Sequence, residues 1–352
     1  MIAARQAVIR LGLEALRFSG AHRLLGGVVG GIGAILTLHH VRPARNEPFQ
    51  PNRTLEVTPQ FLEEALVALR RQGLELISLD EMHARLGAGN SGRRFACLTF
   101  DDGYRDNREW AYPILRRHKA PFAIYVPTSF PDRRGHLWWE TLETVIASSD
   151  HVELVLDEGL RRFACRTTAE KYSALAAIRR ALRALPSEEL VHATVATLAA
   201  RARHDPSAHC SELCMSWQEI AELAADPLVT IGAHTVHHPR LGRLGGREAR
   251  NEMAESAARI EAVLGMRPAH FAYPFGDRTA AGPREFAIAR DLGFKTAVTT
   301  RPGVLFPEHR DHLTALPRIS LNGDVQRLRH LDVLMSGAAT ALWNGFRRVN
   351  AA

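Results

Sequence analysis

Short apolar runs alternate with amphipathic stretches along most of the chain. Residues 33–38 (Gly-Ala-Ile-Leu-Thr-Leu) and 94–100 (Arg-Phe-Ala-Cys-Leu-Thr-Phe) are brief, rich in apolar and β-branched residues, and followed by turn formers, the pattern of buried strands. Runs at 121–127, 228–233, 270–273, 295–299 and 316–320 have the same character. Helical periodicity fills the gaps. Thr58-Pro59 supplies an N-cap and a first-turn proline, and Gly73 a stop. A short strand is expected at 74–79, with Asp80 capping the next helix, and further helices at 217–225, 248–264 and 286–292. Strand, helix, strand is the repeating unit of a parallel sheet.

The rhythm breaks between about 135 and 213. There Trp138-Trp139-Glu140 begins a helical stretch, a hairpin over 152–165 turns at Asp157-Glu158-Gly159, and two helices are separated at Pro186. This region reads as a mainly helical insertion, placed where loops carry specificity. The expected organisation is an amphipathic, glycine-rich segment over 1–33, a barrel over 34–321 bearing the insertion, and a helical tail over 322–352. The N-terminal segment carries Arg5, Arg10 and Arg17, and its apolar run is too short and glycine-broken to span a bilayer. The tail places Leu331, Val333, Leu334, Leu342, Trp343 and Phe346 at apolar positions. They either pack on the barrel, the better-supported reading, or lie on a membrane.

At 352 residues the chain accommodates an α/β barrel of about 250 residues with additions. The net charge of +7 is almost wholly arginine, with Lys119, Lys171 and Lys295 as the lysines, and it is scattered among acidic residues rather than gathered into a basic arm. A nucleic-acid partner is therefore not expected, whereas an anionic glycan or membrane surface is compatible. Four cysteines are too few for a disulfide framework, and Cys210 and Cys214 with His204 and His209 lack a standard zinc spacing. No small-residue cleavage site follows the first apolar run, so a cytoplasmic location is expected, with peripheral membrane contact as its variant. Oligomeric state is left open.

Candidate chemistry begins at Asp101 and Asp102, which close the run 94–100 just before Gly103. Strand C-termini are where α/β folds place their chemistry. Adjacent residues on an extended chain face opposite ways, so the pair suggests one carboxylate on a metal and the other on a proton. The plainer reading is a turn capping a helix near Asn107. It weakens because His234-Thr235-Val236-His237-His238-Pro239 supplies what the first motif lacks. His234 and His238, four apart, share a face in a helical turn, and Asp102 completes a two-histidine, one-carboxylate set. His237 is the ambiguous neighbour, and Pro239 favours His238.

Thr99-Phe100-Asp101-Asp102-Gly103-Tyr104, His234-Thr235-x-x-His238-Pro239 and Tyr273-Pro274-Phe275-Gly276 together resemble the polysaccharide deacetylase family, the NodB-homology carbohydrate esterases, over 34–320. The resemblance implies a distorted (β/α) barrel and metal-dependent removal of N-acetyl or O-acetyl groups from sugars. Asp101 resembles the catalytic base, and Asp102, His234 and His238 the metal ligands. Thr235 falls near the acetyl site, and the Phe275 backbone N–H resembles the oxyanion donor. Tyr104, Tyr273, Trp138 and Trp139 are candidate platforms for sugar faces, with a place in the core as the equal alternative for each.

The family's arginine before the third motif is replaced by Ala272, and its closing Leu-x-x-His by Leu316-Pro317-Arg318. Leu38-His39-His40-Val41 is similar to the Tyr-His-x-Val opening of the poly-N-acetylglucosamine deacetylase subgroup, whose site is circularly permuted. His40 is accordingly expected as the general acid, and Arg318 as the positive charge beside Asp101. The expected reaction is N-deacetylation of an N-acetylated oligo- or polysaccharide, with zinc as the metal and cobalt or nickel fitting the same ligands. An O-acetyl ester, a non-sugar amide, or an inactive glycan- or membrane-binding role are the alternatives. The paired aspartates argue against the last.

Overall fold

Seven parallel strands close into a barrel in the computed structural model, which describes residues 2–89, 92–156 and 159–351. They are β1 (Gly33–Leu38), β2 (Phe95–Phe100), β3 (Phe122–Val126), β4 (Val229–Ala233), β5 (His270–Ala272), β6 (Thr296–Pro302) and β7 (Leu316–Ser320). Around the barrel the order is β1, β7, β6, β5, β4, β3, β2, and the β2–β1 pairing completes the circle. The expected strand at 74–79 is only Glu75–Leu76, which pairs with β2 at Phe95 and Ala96, while β3 pairs with Leu98 to Phe100 further along. The next helix, Leu79–Gly87, is capped by Ser78 and not by Asp80. Ser78 is extended and its Oγ accepts from the Glu81 N–H at 3.1 Å, leaving Asp80 in the first turn, where it pairs with Lys295.

Period-two alternation sorts each strand's side chains into two layers. Ile35, Phe95, Cys97, Tyr125, Ala272, Val298 and Leu316 fill the inside of the barrel, so it is a packed core. Leu36, Leu98, Phe100, Ile124, Ile231, Phe271 and Ile319 face outward beneath the helices. Gly232 faces inward opposite Tyr125, since a Cβ there would lie 2.4 Å from the tyrosine ring.

Between β3 and β4 the chain builds the insertion: helices Trp138–Ser148, Thr168–Ala184 and Glu188–Arg201 beside an antiparallel pair, His151–Leu156 and Gly159–Ala164. The expected turn residues Asp157 and Glu158 lie outside the described residues. Leu142, Ile146, Leu175, Ile178, Val195 and Leu198 give the insertion its own apolar core. A capping box between Thr167 and Glu170 starts the middle helix.

At the chain ends, helices Ile2–Phe18, Ala21–Val29, Leu328–Met335 and Ala338–Trp343 pack together, with Leu13 against Val325 and Val333. Packing of the tail extends only part way. Leu331 and Val333 are buried, whereas Leu342, Trp343 and Phe346 are 51%, 52% and 58% exposed. No described helix is long and apolar enough to cross a membrane.

Candidate active site and metal centre

β1 and β2 run side by side in register, Leu38 opposite Phe100, so the histidine pair at one strand end stands opposite the aspartate pair at the other. On β2 the inward series Phe95, Cys97, Thr99 continues to Asp101. On β1 the series Ile35, Thr37 continues to His39. Asp102 would turn outward on an extended chain. Instead it takes φ 71°, with Gly103 at 64° beside it, and both carboxylates reach the barrel mouth.

The Asp102 carboxylate meets two imidazoles. Its Oδ1 lies 3.2 Å from His238 Nε2 and 3.6 Å from His234 Nε2. The three donor atoms lie within 4.8 Å of one another, and all three residues are buried. His234 Nδ1 donates its N–H to the Ala272 carbonyl at 2.7 Å, which leaves the Nε2 lone pair facing Asp102. Asp102 Oδ1 is buried with no hydrogen-bond partner among the described residues. A carboxylate oxygen without a hydrogen-bond partner and two imidazole nitrogens gathered this closely suit a divalent metal between them.

The histidines converge by a different route from the helical turn expected. Residues 234–240 form an irregular bend after β4, with Thr235 at φ 67° and His238 at φ 60°. Thr235 Oγ1 accepts from the His238 N–H at 3.0 Å, and Glu252 Oε2 accepts from the N–H groups of Val236 and His237, both at 2.9 Å. His237 points to solvent and pairs with Glu252, which resolves the choice in favour of His238. Thr235 itself is fully buried and shapes this turn; it does not line the cavity.

Asp101 is gripped by Arg318, whose Nη1 and Nη2 donate to its two oxygens, each at 2.7 Å. The same guanidinium donates to the Thr299 carbonyl at 2.8 Å and to Thr99 Oγ1 at 3.2 Å, so it is fixed in the barrel interior. Burial favours the neutral acid, but the Arg318 charge and hydrogen bonds outweigh it and hold the Asp101 pKa below its usual value. Asp101 is therefore ionised and oriented.

Of the two histidines, His39 and not His40 faces the cavity. His39 Nε2 lies 4.0 Å from Asp101 Oδ2. His40 is turned the other way by the strand alternation. Its ring is 1% exposed, stacks on Tyr104 at 3.5 Å, and bonds through Nδ1 to Asp106 Oδ2 at 2.6 Å. Burial alone would lower the His40 pKa, yet Asp106 and then Glu140 raise it to about 9. For His39 burial dominates and lowers the pKa, against the pull of Asp101 and Asp102.

The two tyrosines are also displaced from their expected places. Tyr104 is fully buried behind the site, its hydroxyl accepting from Trp139 Nε1 at 3.0 Å. Tyr273 follows Phe271 onto the outer face of β5, where its hydroxyl donates to the Thr314 carbonyl at 2.8 Å. Trp138, Trp139 and Phe275 do line the cavity, which has a volume of about 450 Å³. Phe275 is at φ 60°, packs on His238, and its N–H has no backbone acceptor among the described residues. Sequence reasoning missed Arg179, Arg183 and Arg240, which share the cavity wall.

Residues 88–297 match the family model described as polysaccharide deacetylase. His39 and Arg318 fall outside that span, although the fold brings both to the aspartates. Among solved structures, the chain is similar to a Streptococcus pyogenes deacetylase, PplD, in complex with acetate: 19% identity, TM-score 0.55, covering 82% of this chain and 92% of that one. A polysaccharide deacetylase from Bacillus cereus gives 16% identity and TM-score 0.53 over 86% of this chain and 68% of that one. IcaB from Ammonifex degensii gives 19% identity and TM-score 0.53 over 86% and 97%. At these identities the structural likeness is one of fold. No curated protein matches the chain.

Proposed function

We propose, on the premise that the chain belongs to the polysaccharide deacetylase family and is a deacetylase, that it hydrolyses the acetamido group of an N-acetylated oligo- or polysaccharide. The observation that carries the reading is the pairing of an ionised, arginine-fixed Asp101 with a neighbouring Asp102 whose free Oδ1 faces two imidazole nitrogens. Asp102, His234 and His238 would hold a divalent cation, zinc before cobalt or nickel, supplying Lewis-acid polarisation of the acetyl carbonyl and a more acidic water.

Asp101 accepts the proton that water loses as it adds to the carbonyl carbon. Arg318 holds both its oxygens, so the base is positioned before substrate arrives, and a positioned base contributes about 10²- to 10⁴-fold. The Phe275 N–H is a donor available to the developing oxyanion, and such a donor contributes about 10²- to 10³-fold. When the C–N bond breaks, the nitrogen needs a proton, since an amide anion is a prohibitive leaving group. His39, 4.0 Å from Asp101 at the mouth, is placed to relay to the nitrogen the proton that Asp101 accepted from water. Acetate and the free amine are the products. Trp138 and Trp139 offer apolar faces to the sugar.

The test is acetate release from N-acetylglucosamine oligomers by protein reconstituted with zinc, beside Asp101→Asn. Release by the wild type that is abolished in the variant supports the reaction and the base together. Zinc binding without acetate release from any acetylated sugar overturns the reading.

A further inference from the structure

The cavity that holds the aspartates also holds three arginines, and two of them, Arg179 and Arg183, have no ion pair among the described residues. Arg179 and Arg183 lie one turn apart on the insertion helix Thr168–Ala184, so both project from one face into the same cavity. Arg179 Nη2 donates to Asn52 Oδ1 at 2.8 Å, while its Nε is buried with no partner among the described residues. Asn52 is itself locked, its N–H donating to Glu143 at 3.1 Å and its side-chain amide to the Trp139 carbonyl at 3.0 Å. The guanidinium is thus held in place by a neutral acceptor. Arg183 is exposed and has no ion pair among the described residues. Arg240 stacks over the Phe275 ring at 3.8 Å and shares the buried Glu188 with Arg243, one carboxylate for two cations.

The carboxylates nearest Arg179 are already engaged. Glu143 pairs with Arg45 at 3.0 Å, and Glu140 faces His40. Burial and then the Arg183 charge lower the Arg179 pKa, as for a cation short of a counter-charge. On the other side of the balance, Asp101 is neutralised by Arg318, and Asp102 belongs to the metal set. The wall built by the insertion is left with excess positive charge facing the substrate.

From this juxtaposition we infer that the enzyme selects N-acetylated saccharides that carry an anionic substituent, a carboxylate or a phosphate, bound by Arg179 and Arg183 while the acetamide reaches Asp101. Planar guanidinium forks suit either oxyanion. The inference rests on the deacetylase reading of the site and adds the chemical class of the saccharide.

The experiment compares three probes with the zinc-loaded full chain: a neutral N-acetylglucosamine tetramer, a hyaluronan tetrasaccharide bearing uronate carboxylates, and N-acetylglucosamine 1-phosphate. Binding is measured by calorimetry and acetate release by steady-state kinetics, for wild type, Arg179→Gln/Arg183→Gln, and Arg183→Gln alone. The wild type is expected to bind at least one anionic probe about ten-fold more tightly than the neutral one. The double variant is expected to lose that preference through KM, with a fold-loss on the anionic probe about ten times that on the neutral tetramer. Raised salt should weaken anionic binding more than neutral binding. Arg183→Gln changes an exposed, unpaired side chain, so a partial loss in that variant is not a folding defect. Which anionic probe responds separates a carboxylate from a phosphate source. Equal binding of neutral and anionic probes, or equal losses on all three in the double variant, overturns the inference. If no probe releases acetate but the arginine-dependent anion preference persists, the deacetylase reading fails and the anion site stands.

Discussion

Two adjacent pairs of polar residues end two adjacent strands, and the structure treats them differently. At the end of β2 both members of the pair Asp101-Asp102 reach the cavity, because Asp102 enters the left-handed region and escapes the strand's alternation. At the end of β1 only His39 does. The chain stays extended through His40–Val41, which pairs with Glu56–Val57, so His40 is carried behind the wall to Asp106 and Tyr104. Whether neighbouring side chains can act on one substrate is therefore decided by a single backbone torsion. The residue left behind can still support the site from outside.

The comparison breaks most visibly at Asp102. Asp102→Ala should abolish both stoichiometric zinc binding and acetate release, whereas Asp101→Asn should keep the metal and lose at least about 10²-fold in kcat. Metal analysis beside kinetics separates the two. If the Asp101 variant also lost its metal, the two carboxylates would not have divided the work.

The histidine pair sharpens the same point. His39→Ala should lower kcat by about 10²-fold or more, and His40→Ala should act mainly on stability, by about 1–3 kcal/mol, since it strips a buried ring from its carboxylate. Chemical denaturation and kinetics on both variants give the contrast, and the reverse assignment of effects would restore His40 as the acid. A pH series adds a further check. The folded pKa of His40, about 9, is above its unfolded value of about 6.5, so its stabilisation is full below about 6.5 and fades as pH rises through 9. The stability gap between wild type and His40→Ala should narrow over that window. Thr37→Val gives the smallest effect. It removes a 3.5 Å contact to Asp101 already dominated by Arg318, and should change kcat no more than about three-fold.

Much of this was legible beforehand. The apolar runs marked the barrel strands, and the two motifs identified Asp101, Asp102, His234 and His238 as residues that the fold gathers. The choice between His39 and His40 was also readable, since counting in twos from Ile35 and Thr37 arrives at His39. The same count from Phe271 sends Tyr273 outward. Other features lay beyond local pattern. The turn holding His238 depends on Glu252 in a helix beyond it, and the left-handed torsion at Asp102, which aspartate tolerates better than most residues, is not dictated by local pattern. Arg179 and Arg183 read as an ordinary helix face until the insertion is seen to pack its helix against the mouth. That docking is decided by contacts such as Arg179 to Asn52, far apart in sequence.

The barrel filling has a consequence for traffic. Phe95, Tyr125, Ile35 and Arg318 occupy the axis below the aspartates, so the site has a front entrance and a solid floor. A long glycan must lie across the opening and dip one acetylated unit inward, rather than thread through. Both products then depart by the path the substrate took. Acetate left in the pocket stands in the way of the next acetylated unit, so its departure must precede the next turnover.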